Sequence, residues 1–131
     1  MSLNKIKVIK LDIIKNSKGD ILKYLNKKDI YLKKFGETYF SEIKYKCKKG
    51  WNFHKKSQSL LTVPFGRVKF TFMDKFKKKK RIIIIGKKKY FLIVLPPEIW
   101  FNFTSLDKLS LVVNTLNYKH DDKETLKLPL N

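Results

Sequence analysis

Short stretches in which apolar and polar residues alternate run along most of this chain, separated by turn signals. Lys5 to Ile14 is apolar-rich and strand-like, and Asn16-Ser17-Lys18-Gly19 reads as a turn. Asp20 is placed to cap a short helix with Ile21, Leu22 and Leu25 on one side, and Gly36 then breaks the chain. From Thr38 to Cys47 the alternation puts Tyr39, Ile43, Tyr45 and Cys47 on one face and Phe40, Glu42, Lys44 and Lys46 on the other. The mixed face carrying Phe40 and Glu42 suits a barrel interior with a polar site; an edge strand has the same look. Lys48 to Lys56 reads as a basic segment with Gly50, Trp51 and His54. Further strands are expected at Gln58–Val63, Arg67–Met73, Arg81–Ile85 (buried on both sides), Tyr90–Leu95 and Leu109–Thr115. Pro64-Phe65-Gly66, the charged loop Asp74–Lys80, Gly86–Lys89 and Pro96-Pro97 separate them, and a polar tail follows until Leu126 and Leu128.

About eight strands at a spacing of roughly 8–12 residues are the pattern of a sandwich or barrel. With no long amphipathic helix, no internal repeat and no linker, residues 1–131 read as one all-β domain, a jelly roll or related closed sheet. An SH3-like barrel or an OB-fold satisfies the pattern alone equally well.

Composition changes this picture little. With 43% hydrophobic and 14% aromatic residues the chain can build a core despite 32% charged residues. No apolar run approaches the roughly 20 residues of a membrane helix, and Asp12 and Lys15 interrupt the apolar N-terminal stretch that a signal peptide would need. A lone cysteine, Cys47, excludes an intrachain disulfide, so a cytoplasmic protein is the simplest expectation. The net charge of +20 rests almost wholly on lysine, since only Arg67 and Arg81 of the 31 basic residues are arginine. Readers of nucleic acid favour arginine for its bidentate fork. The charge is therefore read chiefly as solvated surface that also attracts an anionic substrate, and a nucleic-acid partner is not favoured.

Three segments resemble the dTDP-4-dehydrorhamnose 3,5-epimerase group of cupins found in surface-polysaccharide gene clusters. The first is Gly36-Glu-Thr-Tyr-Phe-Ser-Glu-Ile-Lys44 with Lys49-Gly-Trp-Asn-Phe-His-Lys-Lys56. The second is Thr62-Val-Pro-Phe-Gly-Arg-Val-Lys-Phe-Thr-Phe-Met-Asp74. The third is Val94-Leu-Pro-Pro-Glu-Ile-Trp-Phe-Asn-Phe103, then Asn114 and the tail His120-Asp-Asp-Lys-Glu124. The dTDP-sugar 3,4-ketoisomerases are similar through the histidine-lysine-lysine stretch, the Pro-Pro-x-Ile-Trp turn and the acidic tail. The resemblance implies a cupin-type jelly-roll barrel with at most a short N-terminal helix, a homodimer, and a dTDP-linked 4-keto-6-deoxy sugar as substrate.

It also implies roles. The cupin metal motif places two histidines two apart, a carboxylate beyond them, and another histidine after the proline turn. Here His54 stands alone, with Lys56 read at the second histidine position, Gln58 near the carboxylate position and Phe101 at the last. One neutral imidazole does not make a closed zinc or iron site, so no metal and no cofactor are expected. In the epimerases a histidine is the base, a tyrosine the acid, and an aspartate orients the histidine. His54 matches the base and Tyr118 the acid, while the aspartate has no match. Glu42 matches a polar residue facing the interior. Lys56 is placed to stabilise an enolate oxygen, Gln58 and Arg67 to bind sugar hydroxyls or diphosphate, and Trp100 to stack on base or sugar. His120-Asp121-Asp122 matches the tail motif and reads as a structural turn. A cupin that kept the barrel and lost the chemistry, serving as a binding module, is the competing expectation. A basic barrel binding nucleic acid through surface aromatics is the third.

Overall fold

The computed structural model describes residues 2–27, 31, 33–119, 121 and 123–129. After a 3₁₀ turn at Ser2–Lys5 come twelve strands: β1 (Lys7–Lys10), β2 (Ile13–Ile14), β3 (Ile21–Leu22), β4 (Glu37–Lys44), β5 (Lys48–His54), β6 (Ser59–Phe65), β7 (Arg67–Met73), β8 (Lys80–Gly86), β9 (Phe91–Leu95), β10 (Trp100–Ser105), β11 (Leu109–Leu116) and β12 (Thr125–Lys127). They form two five-stranded sheets, β1-β9-β6-β11-β4 and β12-β5-β10-β7-β8, and a small β2–β3 hairpin. Every named ladder is antiparallel. This is the expected all-β jelly roll.

The register shows which residues face inward, because directly opposed residues share a face. In the first sheet Ile43 lies opposite Ser110, Ser41 opposite Val112, and Tyr39 opposite Asn114. Leu61 lies opposite Asn114 and Ile93, and Ser59 opposite Leu116 and Leu95. In the second sheet Phe101, Phe103, Phe70, Phe72 and Val68 turn inward and meet Ile43, Leu61, Val63, Ile93, Leu95 and Val112 in one buried core. On the seam between the sheets Leu3 and Ile6 join this core, and Arg81 donates to their carbonyl oxygens at 3.2 and 3.3 Å.

The outer face of the first sheet is also covered. Leu60, Leu92 and Val94 pack under Ile9, Leu11, Tyr24, Leu25 and Tyr31. The Tyr24 hydroxyl fastens this cover by donating to the carbonyl oxygen of Leu60 at 2.6 Å, and it lies 2.8 Å from Thr115 Oγ1.

Several local expectations are corrected. Asp20 caps no helix: Ile21 and Leu22 pair with Ile14 and Ile13, and the Asp20 carboxylate closes the turn through the backbone N–H of Asn16. The basic segment 48–54, the stretch after the proline turn and part of the polar tail are strands β5, β10 and β12. The Ile82–Ile85 run is half-buried, not buried on both sides. Ile82 and Ile84 are exposed on the outer face, while Ile83 and Ile85 pack inward. A run of four isoleucines hides the alternation that charged neighbours would have revealed.

Candidate active site

His54 is the last residue of β5, and it points inward. Asn52 lies opposite the core residue Phe101, so His54, two residues on, shares its face. The bend that delivers this segment depends on Gly50. The β5–β10 register slips between Phe101 and Asn102, where Gly50 adopts a φ of 107°. A Cβ at Gly50 would stand 2.5 Å from the carbonyl oxygen of Phe101, so only glycine fits this bulge.

His54 is 7% exposed and Glu124 is 4% exposed. Glu124 Oε1 lies 3.1 Å from His54 Nδ1 and accepts from Ser57 Oγ at 2.7 Å. Its Oε2 accepts from the backbone N–H groups of Lys56 at 2.8 Å and Ser57 at 3.2 Å. Thr125 Oγ1 is also 3.1 Å from Nδ1. Burial opposes ionisation of Glu124. The two backbone donors, the Ser57 hydroxyl and the charge of His54 outweigh it and hold the carboxyl below its ordinary range. An ionised carboxylate only accepts, so Nδ1 carries the ring proton toward it, and in the neutral ring Nε2 carries the lone pair.

The sequence motifs therefore supply a histidine, and the tail supplies the carboxylate that orients it. Glu124 was not singled out from sequence for this role, and the aspartate expected to do it had no match. The available signal was the tail motif itself. Among its described residues, Asp121 turns the chain toward β12: Glu124 N–H donates to the Asp121 carbonyl at 2.9 Å and Lys123 N–H to Asp121 Oδ1 at 2.9 Å. That turn feeds β12 onto β5 with Thr125 opposite His54. His120 and Asp122 lie outside the described residues.

The other positions sort clearly. Phe101 meets His54, with ring centroids 5.9 Å apart, so the first motif and the proline-turn motif converge in space. The inward pair two apart on β5 is Asn52 and His54, not His54 and Lys56: Lys56 lies beyond the strand end and is exposed. Its ammonium stands 5.7 Å from the Tyr118 ring centroid. Lys34 stands 4.6 Å from the same ring. Tyr118 and Gln58 line an outer cleft of about 390 Å³ with Lys5, Lys7, Lys33 and Lys34. Gly36 sets this corner, because a Cβ there would collide with the Tyr118 backbone.

Glu42 is exposed on the outer face of β4, opposite Leu111, which corrects its expected inward orientation. The true inward set is Tyr39, Ser41 and Ile43. Arg67 is at the far end of the barrel, its guanidinium paired with Asp107 at 2.9 and 3.2 Å. Trp100 is buried on the outer face of the second sheet with Phe53 and Met73, on the opposite side of the sheet from His54. The charge touching the His54 ring is a carboxylate, while Lys55 and Lys56 are exposed. Among the described residues no group of three or more His, Cys, Asp or Glu is placed to hold a metal ion.

A jelly roll with a buried histidine–carboxylate pair on its inner wall at one end defines the class: a cupin-like protein. The family described as FdtA (WxcM-like, C-terminal) matches residues 4–126, and the chain belongs to that family. A dTDP sugar isomerase from Desulfovibrio desulfuricans is similar in structure at a TM-score of 0.90 and 26% identity, over 95% of this chain and 84% of that one. RmlC from Legionella pneumophila, a 3,5-epimerase solved with dTDP-4-keto-L-rhamnose, superposes at 0.83 with 13% identity, over 98% and 74%. QdtA from Thermoanaerobacterium thermosaccharolyticum, a sugar 3,4-ketoisomerase solved with TDP, superposes at 0.80 with 18% identity, over 95% and 88%. A search of curated proteins found no match. No helix among the described residues is long and apolar enough to cross a membrane.

Proposed function

We propose that this protein isomerises a dTDP-linked 4-keto-6-deoxy sugar by removing and returning a proton beside the keto group. The observation that carries this is the buried His54–Glu124 pair on the inner wall. The keto group acidifies the neighbouring C–H. His54 Nε2 takes that proton, and Glu124 stabilises the imidazolium that forms while holding the ring's tautomer and orientation. The chemistry needs no redox partner. Family membership and the likeness to a dTDP sugar isomerase support the substrate class. Aromatic placement supports it too, since Phe70, Phe72, Phe101 and Phe103 fill the interior instead of paving an open basic face.

Lys5, Lys7, Lys33 and Lys34, with Lys56 beside Tyr118, make the approach to this end of the barrel strongly positive. They draw in the diphosphate of a nucleotide sugar at long range. Epimerisation and 3,4-ketoisomerisation share the first proton abstraction, and the test is common to both. Incubation with dTDP-4-keto-6-deoxyglucose in D₂O, followed by NMR, is expected to show solvent deuterium entering the sugar next to the carbonyl. Absence of exchange in every 4-keto nucleotide sugar tried gives the protein to the binding-module reading.

The protein is further proposed to be a cytoplasmic homodimer of surface-polysaccharide synthesis. Edge strand β4 and its neighbours leave Phe40 and Phe65 exposed on the outer face of the first sheet, a surface suited to a second copy. Light scattering at micromolar concentration is expected to give twice the 15.6 kDa chain mass; a monomer refutes the dimer.

A further inference from the structure

The outer face of the second sheet holds a depression of about 260 Å³, on the opposite side of the sheet from His54. The ladder register lays out its floor. Gly50, Asn102, Thr71 and Ile82 stand opposite one another across β5, β10, β7 and β8, and Lys48, Thr104 and Lys69 form the next row. Gly50 brings no side chain to its row, and a Cβ there would stand 3.1 Å from Asn102 Cβ. The row is therefore open above Asn102, with Trp51 and Ile82 as its apolar flanks.

The groups around this depression lack partners. Asn102 is 7% exposed, and its side-chain amide makes no hydrogen bond among the described residues. The Thr71 hydroxyl makes none there either. Native folds seldom bury an amide without something for it to bind. Three lysines, Lys48, Lys69 and Lys80, line the same space. None of them is ion-paired among the described residues, and no acidic residue lines the depression. Lys80 Nζ stands 5.9 Å from the Trp51 ring centroid, so charge and aromatic face belong to one cavity. The Thr104 hydroxyl, by contrast, is spent on the Cys47 carbonyl at 2.7 Å.

We infer that this depression binds a phosphorylated sugar, at a site separate from the one at His54. Three ammonium groups with no carboxylate among them match the near-double charge of a phosphate monoester better than the single charge of a carboxylate. Lysine holds phosphate as a point charge, without the fixed fork of arginine. A sugar ring presents C–H bonds on one face, which pack on the electron-rich face of an indole, and hydroxyl groups on its rim. Trp51 receives the first, and the Asn102 amide and Thr71 hydroxyl receive the second. A phosphate held by Lys80 brings the ring it carries beside the indole. The volume of about 260 Å³ lies below the roughly 300–1,000 Å³ of sites for drug-sized ligands, so it suits one sugar unit and not a whole nucleotide sugar. A dimer formed through the Phe40–Phe65 surface of the first sheet leaves this face open. The site stands whether or not His54 acts on a keto sugar.

The test titrates glucose 1-phosphate into nitrogen-labelled protein and reads amide shifts by NMR. The Asn102 side-chain amide, the Trp51 indole N–H and the Thr71 backbone N–H are expected to shift together and to saturate. Glucose and inorganic phosphate each lack half of the recognised chemistry and are expected to bind about tenfold or more weaker. Lys69→Glu places a carboxylate beside the depression and is expected to weaken glucose 1-phosphate by about tenfold or more, while the rest of the spectrum keeps its wild-type dispersion. Should Lys69→Glu fail to fold, Lys48→Gln combined with Lys80→Gln, both at exposed positions, is expected to weaken binding on the same scale. No shift at the three reporter groups, glucose or inorganic phosphate binding as tightly as glucose 1-phosphate, or undiminished binding in the lysine variants overturns the site. A thymidine oligonucleotide that shifts the same resonances at lower concentration overturns the sugar and gives this face to single-stranded nucleic acid.

Discussion

The two ends of the barrel are both polar, but they are built on opposite terms. At the end where β7 begins, Ser105 Oγ lies 2.6 Å from Ser110 Oγ and donates to the Asp107 carbonyl at 2.7 Å. Ser110 Oγ donates to the Arg67 carbonyl at 3.0 Å, and the Arg67 fork closes on Asp107. Every group named there has a partner, and the charged pair remains in contact with solvent. At the His54 end two titratable side chains are buried together, and Asn114 Oδ1 and Ser59 Oγ stay unpaired among the described residues. A network that satisfies itself holds loops in place; buried atoms left without a protein partner call for an ordered water or a bound group. Arg67 teaches the same lesson. Its sequence suggested a phosphate fork, but its own chain already occupies that fork.

This contrast can be broken by substitution. The largest effect belongs to His54→Ala, expected to lower C–H exchange by about 10²–10⁴-fold while circular dichroism shows an intact sheet. Exchange at the wild-type rate would put the base elsewhere. Next is Glu124→Ala, which leaves His54 and three donors facing an empty position. It is expected to cost about 3 kcal/mol of stability, the scale for removing one partner of a buried pair, read by urea denaturation, and to slow exchange as well.

The pH dependence of Glu124 has a definite sign. Its folded pKa lies below the ordinary carboxylate value. Its contribution is therefore fully present above that ordinary value and is lost as pH falls toward the folded one. Thermal scans from pH 6 down to pH 3 should show a falling Tm in wild type and a flatter profile in Glu124→Gln. At the other extreme, burial raises the pKa of Tyr24 to about 12. Its contribution is complete below the ordinary tyrosine value and is lost as pH climbs from about 10 to about 12. Tyr24→Phe is expected to cost about 1 kcal/mol at neutral pH, and to remove that alkaline loss of Tm. The smallest effect belongs to the self-satisfied end: Arg67→Ala is expected to leave exchange unchanged and to lower Tm only slightly. A large loss of activity there would end the contrast between the two ends.

Much of the fold was legible in the sequence because strand alternation leaves a local trace. Arg67–Met73, with Val68, Phe70 and Phe72 on one side, matches β7 residue for residue. Four strands were not legible for different reasons, the two-residue β3 among them, where Asp20 with the apolar Ile21, Leu22 and Leu25 imitates a capped helix. β5 is dense in lysine and bent by Gly50, β12 has three residues, and in β10 the outer-face residues Trp100 and Asn102 are also buried, which blurs the period. The inner face of β4 could not be told from its outer face, because β4 is an edge strand, the alternative its pattern left open: Phe40 is 70% exposed while Ser41 and Tyr39 face inward. Hydrophobicity misleads on a strand whose outer face stays open.

By itself the sequence determined an all-β chain, its turns, and His54 as the histidine delivered by the Gly50 segment. These depend on residues close together along the chain, where period and turn chemistry act. Tertiary structure decided the partners. Glu124 reaches His54 across 70 positions of sequence, and Asn114 reaches Tyr39 across 75. Which carboxylate meets His54, and which tyrosine meets Asn114, depends on the pairing of β12 with β5 and of β4 with β11. That pairing is chosen by burying a shared core, a property of the closed barrel that no local stretch of residues carries.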